Sequence, residues 1–277
     1  MNAGDTTTVW EWDLGEDSFL PVVDPSERAD ADVVPLVADS WLVTDGAARA
    51  FSRHRRRFTR ACGGAIDMVE DPEVITPVDE DRFWSALAAL IPATGDWFPR
   101  VELTDTLRLR VRPAPERGRS VVVWDPQDVD PREHPRVKGP DLPYLGVLRE
   151  EARSFGADEV LLTDAEGTVV EAANSNILWW EGDTLCAPHA GSPVFGGVTA
   201  GLVVEEARQR RITVQARRIT RSELQEHDVW LTNALHGIRS VSAWRGSGVA
   251  ADAGAVDDGR LEEWRAWWDR AAKPLTV

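Results

Sequence analysis

Short runs of alternating apolar and polar residues dominate this chain, broken in places by helical spacing. Residues 6–13 (Thr6 to Asp13), 99–103, 107–112 and Ser120 to Trp124 read as strands, whose faces repeat every second residue. Pro35 to Phe51 predicts a hairpin with Asp45-Gly46 at its turn. Ser52 caps a predicted helix carrying His54, Arg55, Arg56, Arg57 and Arg60, which stops near Gly63-Gly64. Thr76-Pro77-Val78-Asp79 opens another, with Phe83, Trp84, Leu87, Leu90 and Ile91 on one face and Pro92 at its end. Residues 14–33, rich in Asp and Pro, read as a surface loop.

The second half repeats the mixture. Pro140 begins a predicted helix that Gly156 ends. Glu159 to Thr163, Thr168 to Glu171, Ser175 to Trp180, Thr184 to Ala187, Ile212 to Ala216 and Asp228 to Thr232 read as strands. Gly196-Gly197-Val198-Thr199 leads into a helix through about Arg210. Thr220-Arg221-Ser222-Glu223 is a capping box. Leu261 to Ala272 forms an amphipathic tail helix with Trp264, Trp267 and Trp268. Asp125 to Pro135, dense in acids and prolines, reads as a connector. The pattern predicts a two-domain chain: residues 1–128, a linker at 129–135, and residues 136–277.

Composition narrows the partners. A net charge of -16 over 277 residues repels nucleic acid and anionic lipid, so neither is expected. Cys62 and Cys186 stand far apart, which points to a reduced, cytoplasmic compartment. Met1 to Asp5 has no basic, apolar signal pattern, and no run reaches spanning length. The five histidines lack zinc spacing, so no metal is expected. Neither a glycine-rich phosphate loop with lysine nor a Gly-x-Ser-x-Gly elbow is present. Tryptophan outnumbers tyrosine 13 to 1, which the sequence alone does not explain.

Candidate chemistry centres on Lys138, one of two lysines among 31 basic residues. A lysine amine can form a Schiff base, whereas arginine stays protonated. The bland alternative is a stray surface lysine. Arg55, Arg56, Arg57 and Arg60 make the densest positive cluster, either a solvated helix face or an anion site. Arg108, Arg110 and Arg112 share one strand face, which is expected to meet solvent; a carboxylate-binding cleft is the alternative.

From Lys138 to Trp244 the order of motifs resembles the class IV aminotransferases, the fold-type IV pyridoxal phosphate enzymes. The likeness is carried by Lys138, Gly156-Ala157-Asp158-Glu159-Val160-Leu161-Leu162, Gly167-Thr168-Val169-Val170-Glu171, Ser175-Asn176-Ile177, Gly197-Val198-Thr199 and Asp228 through Val241. The resemblance implies an α/β (α+β) fold with a smaller N-terminal domain and a larger β-rich domain that binds the cofactor. It implies pyridoxal 5'-phosphate, a small-molecule amino substrate and a homodimer. Lys138 would hold the cofactor and shuttle protons, and Glu171 would face its ring nitrogen. Arg57 of His54-Arg55-Arg56-Arg57, with Val198 and Thr199, would hold the phosphate. Asn176 and Thr232 belong to the same implied cofactor set, and Asn233 and Ala234 to the substrate loop. Tyr144 would face the ring hydroxyl, and Arg112 a substrate carboxylate. The chain departs from the family at Ala200, where arginine is usual, and at Val37 to Leu42, where a glycine-rich opening is usual. The stretch from Arg112 to Lys138 is also short for the family. Asn233-Ala234-Leu235 resembles 4-amino-4-deoxychorismate lyases more than transaminases; a branched-chain or D-amino acid aminotransferase is the alternative, and a non-catalytic binding protein the second.

Overall fold

A computed structural model of the chain describes residues 7–22, 33–66, 79–246 and 249–276. Contacts divide the chain into two units: Met1–Glu116 with Val137–Pro140 and Ala271–Val277, and Arg117–Arg136 with Asp141–Arg270.

The first unit holds β1 (Thr8–Asp13), β2 (Ser18–Pro21), β3 (Val37–Ser40), β4 (Val43–Thr44), β5 (Ala47–Ala48), α1 (Phe51–Ile66), α2 (Glu80–Ala89), β6 (Asp96–Trp97), β7 (Arg100–Leu103) and β8 (Leu107–Val111). Five strands form an antiparallel sheet in the order β2-β1-β8-β7-β3. Alternation puts Val101, Leu103, Leu107, Leu109 and Val111 on one face, where they pack with Trp12, Trp41, Phe58 and Trp84. The predicted turn is present: Asp45 and Gly46 have φ of 46° and 71°, the left-handed pair that a two-residue hairpin loop needs.

Three expectations change here. Gly63 and Gly64 lie inside α1, which continues to Ile66. Asp79 caps α2 by accepting from the Arg82 N–H at 3.0 Å; Thr76, Pro77 and Val78 lie outside the described residues. The arginine face of β8 is not simply solvated. Register places Glu11 and Glu102 opposite Arg108 and Arg100 opposite Arg110. Arg108 is buried against Glu11 at 3.0 Å, while Arg110 and Arg100 both pair with Glu102, at 2.8 and 2.6 Å.

The second unit holds β9 (Ser120–Asp125), α3 (Leu142–Ser154), β10 (Glu159–Thr163), β11 (Val169–Ala172), β12 (Asn176–Glu181), β13 (Thr184–Pro188), α4 (Val198–Gln209), β14 (Val214–Arg217), α5 (Arg221–Leu224), β15 (Asp228–Asn233), β16 (Gly237–Gly246), β17 (Val249–Asp252) and α6 (Asp258–Arg270). Its nine strands join in the order β11-β10-β9-β16-β15-β12-β13-β14, with β17 on β16. β9 runs parallel to both β10 and β16, so residues 117–128 belong to this unit rather than to the first domain. At the chain's end β18 (Lys273–Pro274) pairs with β5 in the first unit. The division is therefore interleaved, not the single boundary that composition suggested.

Tryptophans fill both cores. In the second unit Trp180, Trp230 and Trp264 meet edge to face at 5.4 to 6.1 Å and seat α6 on the sheet. Arg260 lies 4.2 Å over Trp180 and Arg210 lies 4.6 Å over Trp264, so the rings also take cations from the surface. The Thr220–Glu223 capping box is present at α5. No described helix is long and apolar enough to cross a membrane.

Candidate active site

Two clusters hold the predicted functional residues, one in each unit. In the first, the segment Val137–Pro140 lies along β3, with the Ala38 N–H donating to the Lys138 carbonyl at 2.6 Å. Its neighbour Gly139 could be nothing larger: a Cβ there would lie 2.5 Å from the Leu36 carbonyl oxygen. This close approach fixes the backbone of Lys138. Desolvation, with the positive charges of Arg57, Arg100 and Arg112, pulls the ammonium of Lys138 down to about 8 against the opposing pull of Asp39. A lysine so placed is neutral in a useful fraction near physiological pH, which makes it a nucleophile and a base.

Asp39 organises this cluster. Arg57 grips it through Nε and Nη2 at 2.8 and 2.7 Å, and His54 Nδ1 meets it at 2.8 Å. Burial would push its carboxyl up, but the Arg57 guanidinium and His54 outweigh burial and hold it well below the usual carboxylate range. Arg57 thus has a fixed direction before any ligand arrives. Arg112, offered for a substrate carboxylate, has its guanidinium 5.4 Å from the Phe98 ring.

The second cluster surrounds Glu171, which is buried on β11. Oε1 accepts from Arg132 Nη1 at 2.6 Å and from the Phe195 N–H at 3.0 Å; Oε2 accepts from Asn176 Nδ2 at 3.0 Å. Burial pushes this carboxyl up to about 7, with Arg132 and the Phe195 amide acting against it. Asn176 Nδ2 also donates to the Phe195 carbonyl at 2.8 Å. A Cβ on Gly197 would fall 1.7 Å from Asn176 Oδ1, so only glycine lets this amide lie against the start of α4. Gly197 caps α4 without a side-chain bond, leaving first-turn amides at Val198 and Thr199 as donors for an anion. Thr232 lies opposite Asn176 on β15 and donates its hydroxyl to the Asn176 carbonyl at 3.4 Å. Glu171, Asn176, Val198, Thr199 and Thr232 are therefore brought together.

The remaining predicted residues have other surroundings. Asn233 uses its side chain in the turn: Oδ1 accepts from the Leu235 and His236 N–H groups, and Nδ2 donates to Asn174 and Ser175. Ala234 is half-buried in that turn. Tyr144 is exposed on α3, and partial desolvation plus the charges of Asp128, Asp130 and Glu151 raise its phenol. Sequence reasoning passed over Asp39, Arg132 and Asp130. Asp39 did carry a signal, a lone acid in the short strand Val37-Ala38-Asp39-Ser40, just ahead of His54 and Arg57 in the chain. Arg132 carried none, because an arginine among acids and prolines reads as a loop.

A carboxylate held by hydrogen-bond donors and an uncapped helix start, joined by Asn176, fit a ligand with a cationic ring nitrogen and a phosphate. Comparison with known proteins agrees. Residues 36–244 match the family described as Amino-transferase class IV. The chain belongs to the class IV aminotransferase family. It is 31% identical over 104 residues to the mitochondrial branched-chain-amino-acid aminotransferase 1 of Arabidopsis thaliana, a stretch covering 36% of this chain and 27% of that enzyme's length. A hypothetical aminotransferase from Mycobacterium tuberculosis, solved in a PLP-bound form, superposes with a TM-score of 0.76 at 18% identity, covering 96% of this chain and 98% of that one. A putative 4-amino-4-deoxychorismate lyase from Legionella pneumophila gives 0.73 at 15% identity, covering 90% and 98%.

Proposed function

We propose that this protein is a pyridoxal phosphate enzyme that acts as a 4-amino-4-deoxychorismate lyase, releasing 4-aminobenzoate and pyruvate. The observation that carries the cofactor reading is the Glu171 cluster, in which three donors fix a buried carboxylate whose partner Asn176 packs on the start of α4. When bound, the cofactor supplies an electron sink for the carbanion left after proton removal. Lys138 supplies the amine that carries it and, once released, the base that takes the substrate proton. Glu171, as a carboxylate, would pair with the ring nitrogen and keep it protonated. Arg57, the Val198 and Thr199 amides and the Thr199 and Thr232 hydroxyls bind the phosphate. Arg112 takes a substrate carboxylate.

The lyase assignment rests on Asn233-Ala234-Leu235, where the Asn233 carboxamide ties the turn by accepting two N–H groups. A transaminase is the second reading, favoured by the 31% identity to a branched-chain aminotransferase. The reactions part after the proton is removed. A lyase expels enolpyruvate, whose loss makes the ring aromatic, and needs no second substrate. A transaminase returns the proton and needs a keto acid to close its cycle. The test is aminodeoxychorismate alone, followed for pyruvate and 4-aminobenzoate. Sustained turnover is expected; no product, together with a half-reaction on a branched-chain or D-amino acid, assigns the transaminase. The proposal includes a reduced cytoplasmic compartment, supported by the free buried thiols of Cys62 and Cys186, and a homodimer, which light scattering checks.

A further inference from the structure

The segment that reads as a connector supplies a wall of the Glu171 cluster. The Arg132 side chain is withdrawn from solvent, and its guanidinium divides its edges between two acids. Nη1 donates to Glu171 at 2.6 Å, while Nε and Nη2 grip Asp130 at 2.9 and 2.7 Å. Asp130 is anchored in turn, its N–H donating to the Thr163 carbonyl at 2.7 Å. The Arg132 side chain and both acid side chains are 6% exposed or less, so water does little of the solvation here.

The geometry around Glu171 is asymmetric. Oε1 has two donors, one of them a guanidinium, and among the described residues Oε2 has Asn176 alone. A carboxylate oxygen accepts about two hydrogen bonds. We propose that Arg132, gripped by Asp130, is a positioning residue that saturates one oxygen of Glu171 and leaves the other aimed at the cofactor's ring nitrogen. The inference rests on the reading that Glu171 meets that nitrogen. Arg132 also favours the carboxylate form, and Asp130 tempers it: the two act on Glu171 with opposite sign. Without that brake Arg132 would engage more of the carboxylate's charge, and Glu171 would hold a protonated ring nitrogen less firmly.

The opposition gives a test that loss of packing cannot imitate. Arg132→Met, Arg132→Lys, Asp130→Asn and Glu171→Gln are compared. In the cofactor-free protein the carboxyl carbon of Glu171 is followed by 13C NMR against pH, its resonance assigned by its absence from Glu171→Gln. In the loaded protein kcat, KM and cofactor affinity are measured. The Glu171 midpoint moves up in Arg132→Met and down in Asp130→Asn. In Arg132→Met kcat falls on the order of tenfold or more with KM and cofactor affinity little changed, the pattern of a lost electrostatic arrangement. Arg132→Lys recovers part of kcat, and this variant with Asp130→Asn decides the matter if Arg132→Met does not fold. Midpoints that move in the same direction or not at all, or kcat within twofold of wild type in Arg132→Met or in both Arg132→Lys and Asp130→Asn, overturn the inference. Wild-type kcat in Glu171→Gln instead overturns the reading of Glu171 itself, and is told apart by that variant alone.

Discussion

Lys138 and Glu171 face the same physical problem in opposite surroundings. Each is withdrawn from water, which disfavours its charged form. At Lys138 burial is the largest influence; Asp39 opposes it, Arg57, Arg100 and Arg112 add to it, and the group comes down to about 8. Glu171 has Arg132 opposing its burial and still rises to about 7. In both clusters the leading counter-charge, Asp39 or Arg132, opposes burial without cancelling it, and the arginines around Lys138 add to the effect of burial there. Burial thus brings an amine from 10.5 and a carboxyl from 4.5 towards neutrality, each within its own unit.

Removing the lysine breaks the comparison most completely. Lys138→Met is expected to lower turnover by at least about a thousandfold, because the other lysine, Lys273, is exposed on β18. Its stability effect has the opposite sign. The folded Lys138 titrates near 8 and the unfolded one near 10.5, so between these values the unfolded chain binds more protons and stability rises with pH. Below that window the wild type carries the cost of a desolvated charge. Cofactor-free Lys138→Met should therefore melt higher at pH 7, by roughly 2–4 °C for each kcal/mol relieved, and lose this advantage towards pH 10.5. Borohydride reduction and peptide mapping should place the cofactor on Lys138 in the wild type; an adduct on Lys273 would contradict the assignment.

Glu171→Gln comes next. It keeps the shape and the Arg132 and Phe195 contacts but cannot hold the ring proton as an anion. Turnover should fall on the order of a hundredfold while pyridoxal phosphate still binds. Gly197→Ala follows, acting on the same cluster through space rather than charge. A Cβ 1.7 Å from Asn176 Oδ1 must displace that amide, costing about 1–3 kcal/mol and weakening cofactor binding. Chemical denaturation and cofactor titration measure the two effects.

The two clusters were unequally legible in the sequence. Local signals sufficed for the hairpin at Asp45-Gly46, the capping box at Thr220 and the helix start at Gly197, because each is decided within a few residues. Asn176 and Thr232 meet through the β12–β15 pairing, and Glu171 joins them through the Asn176 amide; the family resemblance grouped the three residues but said nothing of that pairing. What stayed hidden was non-local. The parallel pairing of β9 with β16 joins residues more than a hundred positions apart, and no composition shift marks it. Val137–Pro140 is tied to the first unit by the Ala38–Lys138 backbone bond, the missing Cβ of Gly139 and the packing of Val137 on the core. Arg132 stayed hidden because its meaning lies in Glu171, distant in sequence.

The smallest effects sharpen what kind of positive charge the first cluster uses. Arg55, Arg56 and Arg57 are consecutive, but a helix sends consecutive side chains to different sides. Arg57 faces buried Asp39, whereas Arg55 meets Asp81, whose side chain is 88% exposed, and Arg56 is exposed. Arg57→Ala leaves buried Asp39 with His54 and the Ser40 N–H but no guanidinium, so it should cost about 3 kcal/mol of stability and reduce cofactor affinity. Arg55→Ala loses a screened surface pair and a distant stack on Trp84 at 5.7 Å, worth less than about 1 kcal/mol. Arg56→Ala should be near neutral. Cofactor titration across the three variants separates the cases. A loss confined to Arg57 identifies one aimed guanidinium; equal losses in all three would mean that helix α1 attracts phosphate as a diffuse positive surface, and that the Asp39 grip serves folding alone.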